Sequence, residues 1–103
     1  MRTRVSILHH DYPSSVREVV DAKLRELLRF TGGNVAVRAM LERQRDTHRV
    51  EIIASVPHGP VLVADARADG FPGALDKALG RMTGMLKQSR AKRSASQRKR
   101  RLT

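Results

Sequence analysis

The sequence predicts an α+β domain of order β-α-β-β-β-α. Two helices pack on one face of a four-stranded sheet, and a basic, disordered tail follows. Three observations lead there. Apolar residues recur at helical period in two stretches, near residues 16–30 and 74–86. Between them, two segments alternate apolar and polar residues as half-buried strands do, and a further apolar run opens another strand. After Asp76 no acidic residue remains, while ten Lys or Arg follow.

Each element has its own local reason. Residues 3–8 (TRVSIL) read as a short first strand. Ser15 and Glu18 have capping-box spacing, so a helix starts there. Val16, Val19, Val20, Leu24, Leu27, Leu28 and Phe30 form its apolar arc, and Gly32-Gly33 stops it. In residues 35–44, Val35, Val37, Ala39 and Leu41 share one face, with Arg38 and Glu42 on the other. In residues 49–56, Val50, Ile52, Ala54 and Val56 point inward. Arg45-Asp46-Thr47-His48 reads as the hairpin connection and Pro57-His58-Gly59-Pro60 as a second turn. Val61–Ala64 opens the fourth strand, and Asp69–Gly73 breaks it. The second helix runs from about Gly73 to about Arg90, burying Ala74, Leu75, Ala78, Leu79, Met82, Met85 and Leu86. Residues 1–92 make one folded domain. Residues 93–103 form a tail with too few apolar side chains to order itself.

Composition excludes several classes. With no cysteine there is no disulfide framework and no Cys-based zinc site. The basic start MRTRVSILHH has too short an apolar run for a signal peptide, so the chain is expected not to be exported. No apolar run approaches the roughly 20 residues of a membrane span. Tyr12, Phe30 and Phe71 are the only aromatics, which argues against RNA readers that stack bases on a sheet face. His9-His10 is a poor metal grip, because neighbours in an extended segment point opposite ways. His48 and His58 lie in turns without spaced acidic partners, and no Ser/His/Asp set or phosphate loop is present. No enzyme, cofactor, metal or small-molecule substrate is expected.

Charge points to a polyanion. Residues 1–76 hold 11 basic and all 10 acidic residues, so nearly all of the net +11 lies in the final quarter. Nucleic acid is the fitting partner, because each phosphate neutralised releases condensed counterions. On the second helix Lys77, Arg81 and Lys92 share one stripe at about 100° per residue. Gly80 and Gly84 lie beside that stripe, leaving either room for a phosphate backbone or merely an unselected surface. On the first helix Lys23 falls within the apolar arc, either as a snorkelling stem or aimed into the groove between the helices. Arg25 and Arg29 lie on the exposed face, as phosphate contacts or simply solvated.

The element order, the segment PHGPVLVADARADGFPGALDKAL and the basic helix end resemble the ribosome hibernation-promoting factor and ribosome-associated inhibitor A family, once called sigma-54 modulation proteins. The resemblance covers residues 3–92 and rests most on Pro57-x-Gly59, Val61–Ala64 and Ala74-Leu75-Asp76. It implies a non-catalytic domain that docks on the small ribosomal subunit in the mRNA and tRNA channel. There it would inhibit translation in idle ribosomes through rRNA backbone contacts. By position, Lys23 and Arg29 match basic places on the family's first helix and Arg81 one on the second. Lys87, Arg90 and Lys92 fall in its basic helix end. Arg25, Lys77 and Arg93 complete the candidate RNA-binding set from the charge pattern. Glu26 and Gly84 stand where basic residues are common, and Gly70 and Pro72 replace the family's usual Asp-x-Tyr. The long family form has a second domain that pairs ribosomes. This chain carries the tail instead and is expected not to pair them that way.

The expected partner is the small ribosomal subunit and its rRNA, in the cytoplasm during stationary-phase stress, with no membrane contact and a monomer off the ribosome. Two other readings stay open. One is a general structured-RNA module of double-stranded-RNA-binding-domain-like shape. The other is a non-RNA protein-interaction regulator whose tail is a solubility or membrane-surface element.

Overall fold

In a computed structural model the described backbone covers residues 2–7, 12–30, 35–56 and 59–102, with side chains within 12–29, 35–56 and 59–89. The elements are β1 (Arg2–Ile7), α1 (Ser14–Leu27) with a 3-10 turn at Leu28–Phe30, β2 (Ala36–Gln44), β3 (Thr47–Ser55), β4 (Val61–Ala68) and α2 (Phe71–Leu102). The readings of His9-His10, Gly32-Gly33 and Pro57-His58 lie outside the described residues.

Alternation sets the sheet. β2, β3 and β4 are antiparallel neighbours, and β1 runs parallel to β2 with Val5 opposite Ala39. The inward residues Val35, Val37, Ala39, Leu41, Val50, Ile52, Ala54 and Val56 are all buried, as the period of two requires. The β2–β3 connection is tighter than the four polar residues suggest. Arg45 and Asp46 alone make the turn, Arg45 adopting φ 54°, while Thr47 and His48 pair with Gln44 and Arg43 inside the ladder. After β3, Gly59 N–H donates to the Val56 carbonyl at 3.0 Å. A side chain at Gly59 would press the Val56 methyl at 3.2 Å, so glycine suits that reversal.

Both helices cover the same sheet face. On α1, Val20, Leu24, Leu27 and the following Leu28 are buried, and Val16 packs at the margin. Val19 does not belong to the buried arc: it is 47% exposed, because the stripe that meets the sheet is narrower than the apolar run. The capping box is also absent. Pro13 stands at the cap with ψ 157° and no side-chain bond, and its carbonyl accepts from Val16 N–H at 3.0 Å. Ser14 and Ser15 thus fall inside the helix.

α2 starts against the end of β4, with the Gly70 carbonyl accepting from Ala74 N–H at 3.2 Å. Pro72 sits in the first turn, where a missing N–H breaks no helical bond. Ala74, Leu75, Ala78, Met82 and Leu86 are buried, with Leu79 and Met85 packed beside them. Buried alanines at Ala64 and Ala66 of β4 and Ala74 and Ala78 of α2 let the two layers lie close. α2 does not end near Arg90. Its backbone is helical to Leu102. Residues 85–102 contain neither Gly nor Pro and are rich in Ala, Lys, Arg, Gln and Leu, strong helix formers. At 1.5 Å per residue the helix is about 48 Å long, and the molecule's longest axis is 55 Å.

Candidate nucleic-acid interface

The predicted cations divide by location. Lys23 is exposed on α1, so its stem is not part of the packed face. Arg25 is exposed and ion-paired one turn back to Asp21, Nε to Oδ2 at 3.0 Å. An exposed i,i+4 pair of this kind contributes only about 0.3–0.5 kcal/mol, so Arg25 is lightly held. Arg29 is exposed in the 3-10 turn.

On α2, Lys77, Arg81 and Lys87 are exposed. Lys77 and Arg81 stand one turn apart on one stripe. Gly80 and Gly84 flank it, and a Cβ added at either would meet nothing within 4 Å. This strip of α2 is therefore open surface. Arg81 has a second tie: its Nη1 donates to the main-chain carbonyl of Asp65 on β4. The stripe consequently runs beside the outer edge of the sheet. Arg90, Lys92 and Arg93 lie on the α2 backbone, with side chains outside the described residues.

The open face of the sheet has a different character. On β2, β3 and β4 register puts Arg38, Glu42, Arg49, Glu51, Asp65 and Arg67 there, three cations against three anions. Arg49 is the hub. Its Nη2 and Nε lie 2.7 and 2.8 Å from the Asp65 carboxylate. Its Nη2 also lies 3.3 Å from Glu51, and its Nη1 3.5 Å from Glu42. The bond to Asp65, with the three carboxylate charges, holds the guanidinium proton more tightly than usual against the opposing effect of burial. An open cleft of 730 Å³ beside the β2–β3 turn includes Arg45, Arg67, Glu42 and Asp46 in its walls. Its mixed signs do not suit a polyanion.

Sequence reasoning missed this hub, because Glu42, Arg49 and Asp65 become neighbours only once strand register is set. It also missed a ring cluster. Tyr12 Oη lies 2.6 Å from His48 Nδ1, and the Tyr12 ring sits 5.7 Å from both His48 and Phe71. This ties the start of α1 to β3 and to the start of α2. Phe71, one place from where the family's tyrosine was sought, is part of that packing. Among the described residues no group of three His, Cys, Asp or Glu is placed to hold a metal ion. No described helix is long and apolar enough to cross a membrane.

The fold has solved counterparts. The N-terminal domain of Thermus thermophilus Protein Y superposes with TM-score 0.73 at 21% identity, covering 85% of this chain and 98% of that one. A ribosomal subunit interface protein from Coxiella burnetii gives TM-score 0.78 at 16% identity, covering 88% of this chain and 99% of that one. At such identities the likeness concerns the fold, here two helices on an antiparallel sheet. No curated protein matches the chain closely enough to count as a relative. The family model described as sigma 54 modulation protein / S30EA ribosomal protein matches residues 3–94. With nearly its whole length matched, and the same fold as a Protein Y domain and a ribosomal subunit interface protein, the chain belongs to that family of ribosome-associated modulation proteins.

Proposed function

We propose that this protein is a ribosome hibernation factor. It binds the small ribosomal subunit near the mRNA and tRNA channel through rRNA backbone contacts and inhibits translation in idle ribosomes of the cytoplasm. The proposed contacts are Lys23, Arg25, Arg29, Lys77, Arg81, Lys87, Arg90, Lys92 and Arg93, with phosphate contacts setting position. It acts without catalysis or cofactor, and as a monomer off the ribosome. The observation that carries the reading is the segregation of charge. Exposed Lys23 and Lys77 stand on the helices without an ion-pair partner among the described residues, whereas β2, β3 and β4 balance their charges on the open sheet face.

The test is Lys23→Glu combined with Lys77→Glu. Neither residue is buried, so the melting temperature stays near that of the parent chain. Co-sedimentation with purified small subunits should weaken by roughly tenfold or more at moderate salt. Undiminished co-sedimentation would sink the assignment. Naked duplex RNA competing as well as ribosomes would favour a general RNA module instead.

A further inference from the structure

β4 is the outer strand of the sheet on the α2 side. The β3–β4 turn donates Val56 N–H to the Pro60 carbonyl. That contact sets the ladder, so Leu62, Ala64, Ala66 and Ala68 bond to β3 while Val61, Val63, Asp65 and Arg67 turn their N–H and C=O outward. Of these outward groups, only the Asp65 carbonyl has a partner among the described residues, the Arg81 guanidinium. The stretch from Val61 to Ala64 contains no charge and no proline, the usual guards of a sheet edge. Val61 and Val63 are also 62% and 45% exposed.

We infer that this edge accepts an extended acidic segment of another protein as an additional strand. Two neighbouring surfaces define the chemistry. Side chains of an added strand alternate between the two sheet faces. Those on the open face would lie beside Val61 and Val63 and be apolar. Those on the helix face would lie under the α2 stripe, where Lys77 and Arg81 are exposed, and be acidic. A second copy of this chain is a poorer occupant, because each copy carries a net charge of +11. Main-chain bonds would supply affinity and the alternating pattern would supply selectivity. The strand would also occupy Lys77 and Arg81. On the proposed ribosomal reading, it would therefore exclude rRNA from the same stripe. That consequence rests on the ribosomal reading, but the strand site does not.

The probe is a synthetic seven-residue peptide alternating valine and glutamate, titrated into the isotope-labelled full chain. The inference expects amide shifts and slowed hydrogen exchange centred on Val61, Val63 and Arg67. It also expects roughly tenfold weaker binding when the peptide's pairing amides are N-methylated, since two or more hydrogen bonds are lost. Equal binding by the N-methylated peptide, or by one with its glutamates and valines in separate blocks, would overturn it. So would shifts confined to α2. Dimerisation of the chain through these amides without peptide would assign the edge to a second copy and overturn it too. No ribosome enters the measurement, so its failure is separable from failure of the hibernation reading.

Discussion

Arg81 shows how one side chain serves two environments. Its i,i+4 spacing from Lys77 marks it as a surface cation, and it is exposed. Yet its guanidinium also ties α2 to the Asp65 carbonyl, so a substitution there disturbs the sheet edge as well as the field. Lys23 and Lys77 are the cleaner probes of phosphate binding. Arg49 is the opposite case, a cation spent inside the fold. Arg49→Ala leaves Glu42, Glu51 and Asp65 facing one another on adjacent strands and should lower stability by about 1 kcal/mol, read by thermal denaturation. Because its folded-state pKa is raised, Arg49's contribution is fully present below the ordinary guanidinium value and fades only as pH rises through the higher folded one. The deficit of the variant should therefore be the same at about pH 7 and pH 9. Ribosome binding should be unchanged, since Arg49 lies away from the helices.

At the scale of elements, α2 carries the predictions. Gly80→Ala and Gly84→Ala meet open space. Each should stabilise the chain by about 0.5–1 kcal/mol in a denaturant melt, the usual gain in an exposed helix. If the glycines admit a phosphate backbone, the same variants weaken co-sedimentation with small subunits, and unchanged binding assigns them to drift. Removing residues 93–103 takes away five cations, Arg93, Arg98, Lys99, Arg100 and Arg101. The dependence of log affinity on log salt should then flatten by up to roughly four, given about 0.7–0.9 per phosphate neutralised. An unchanged slope would mean these residues touch no phosphate. The apolar stripes of both helices were legible in the sequence because burial repeats with the helical period. Their ends were not. The first cap comes from the Pro13 carbonyl rather than from Ser15, and α2 continues because helix propensity acts wherever no Gly or Pro intervenes. The two-residue turn at Arg45 was hidden because Thr47 and His48 are polar yet sit in a ladder.

At the scale of the whole molecule, one core joins both helices to the sheet. Met82 is fully buried, and Met82→Ala should cost about 2–5 kcal/mol in equilibrium unfolding. A cost below about 1 kcal/mol would mean α2 is not integral to that core. The molecule is lopsided in charge: β2, β3 and β4 balance on the open face, α1 has three cations against three anions, and the second half of the long α2 holds most of the excess. By itself the sequence determined the element order, the inward residues of β2 and β3, most of those of the two helices (Val19 excepted), and the charge break after Asp76. Each of these depends on periodicity or composition within a short stretch. Only the tertiary structure decided that Arg49 meets Asp65 and Arg81 reaches the Asp65 main chain, each across 16 residues, or that Tyr12 bonds His48 across 36. Those contacts depend on strand register and on how α2 lies along β4, which are settled by packing between segments far apart in the chain.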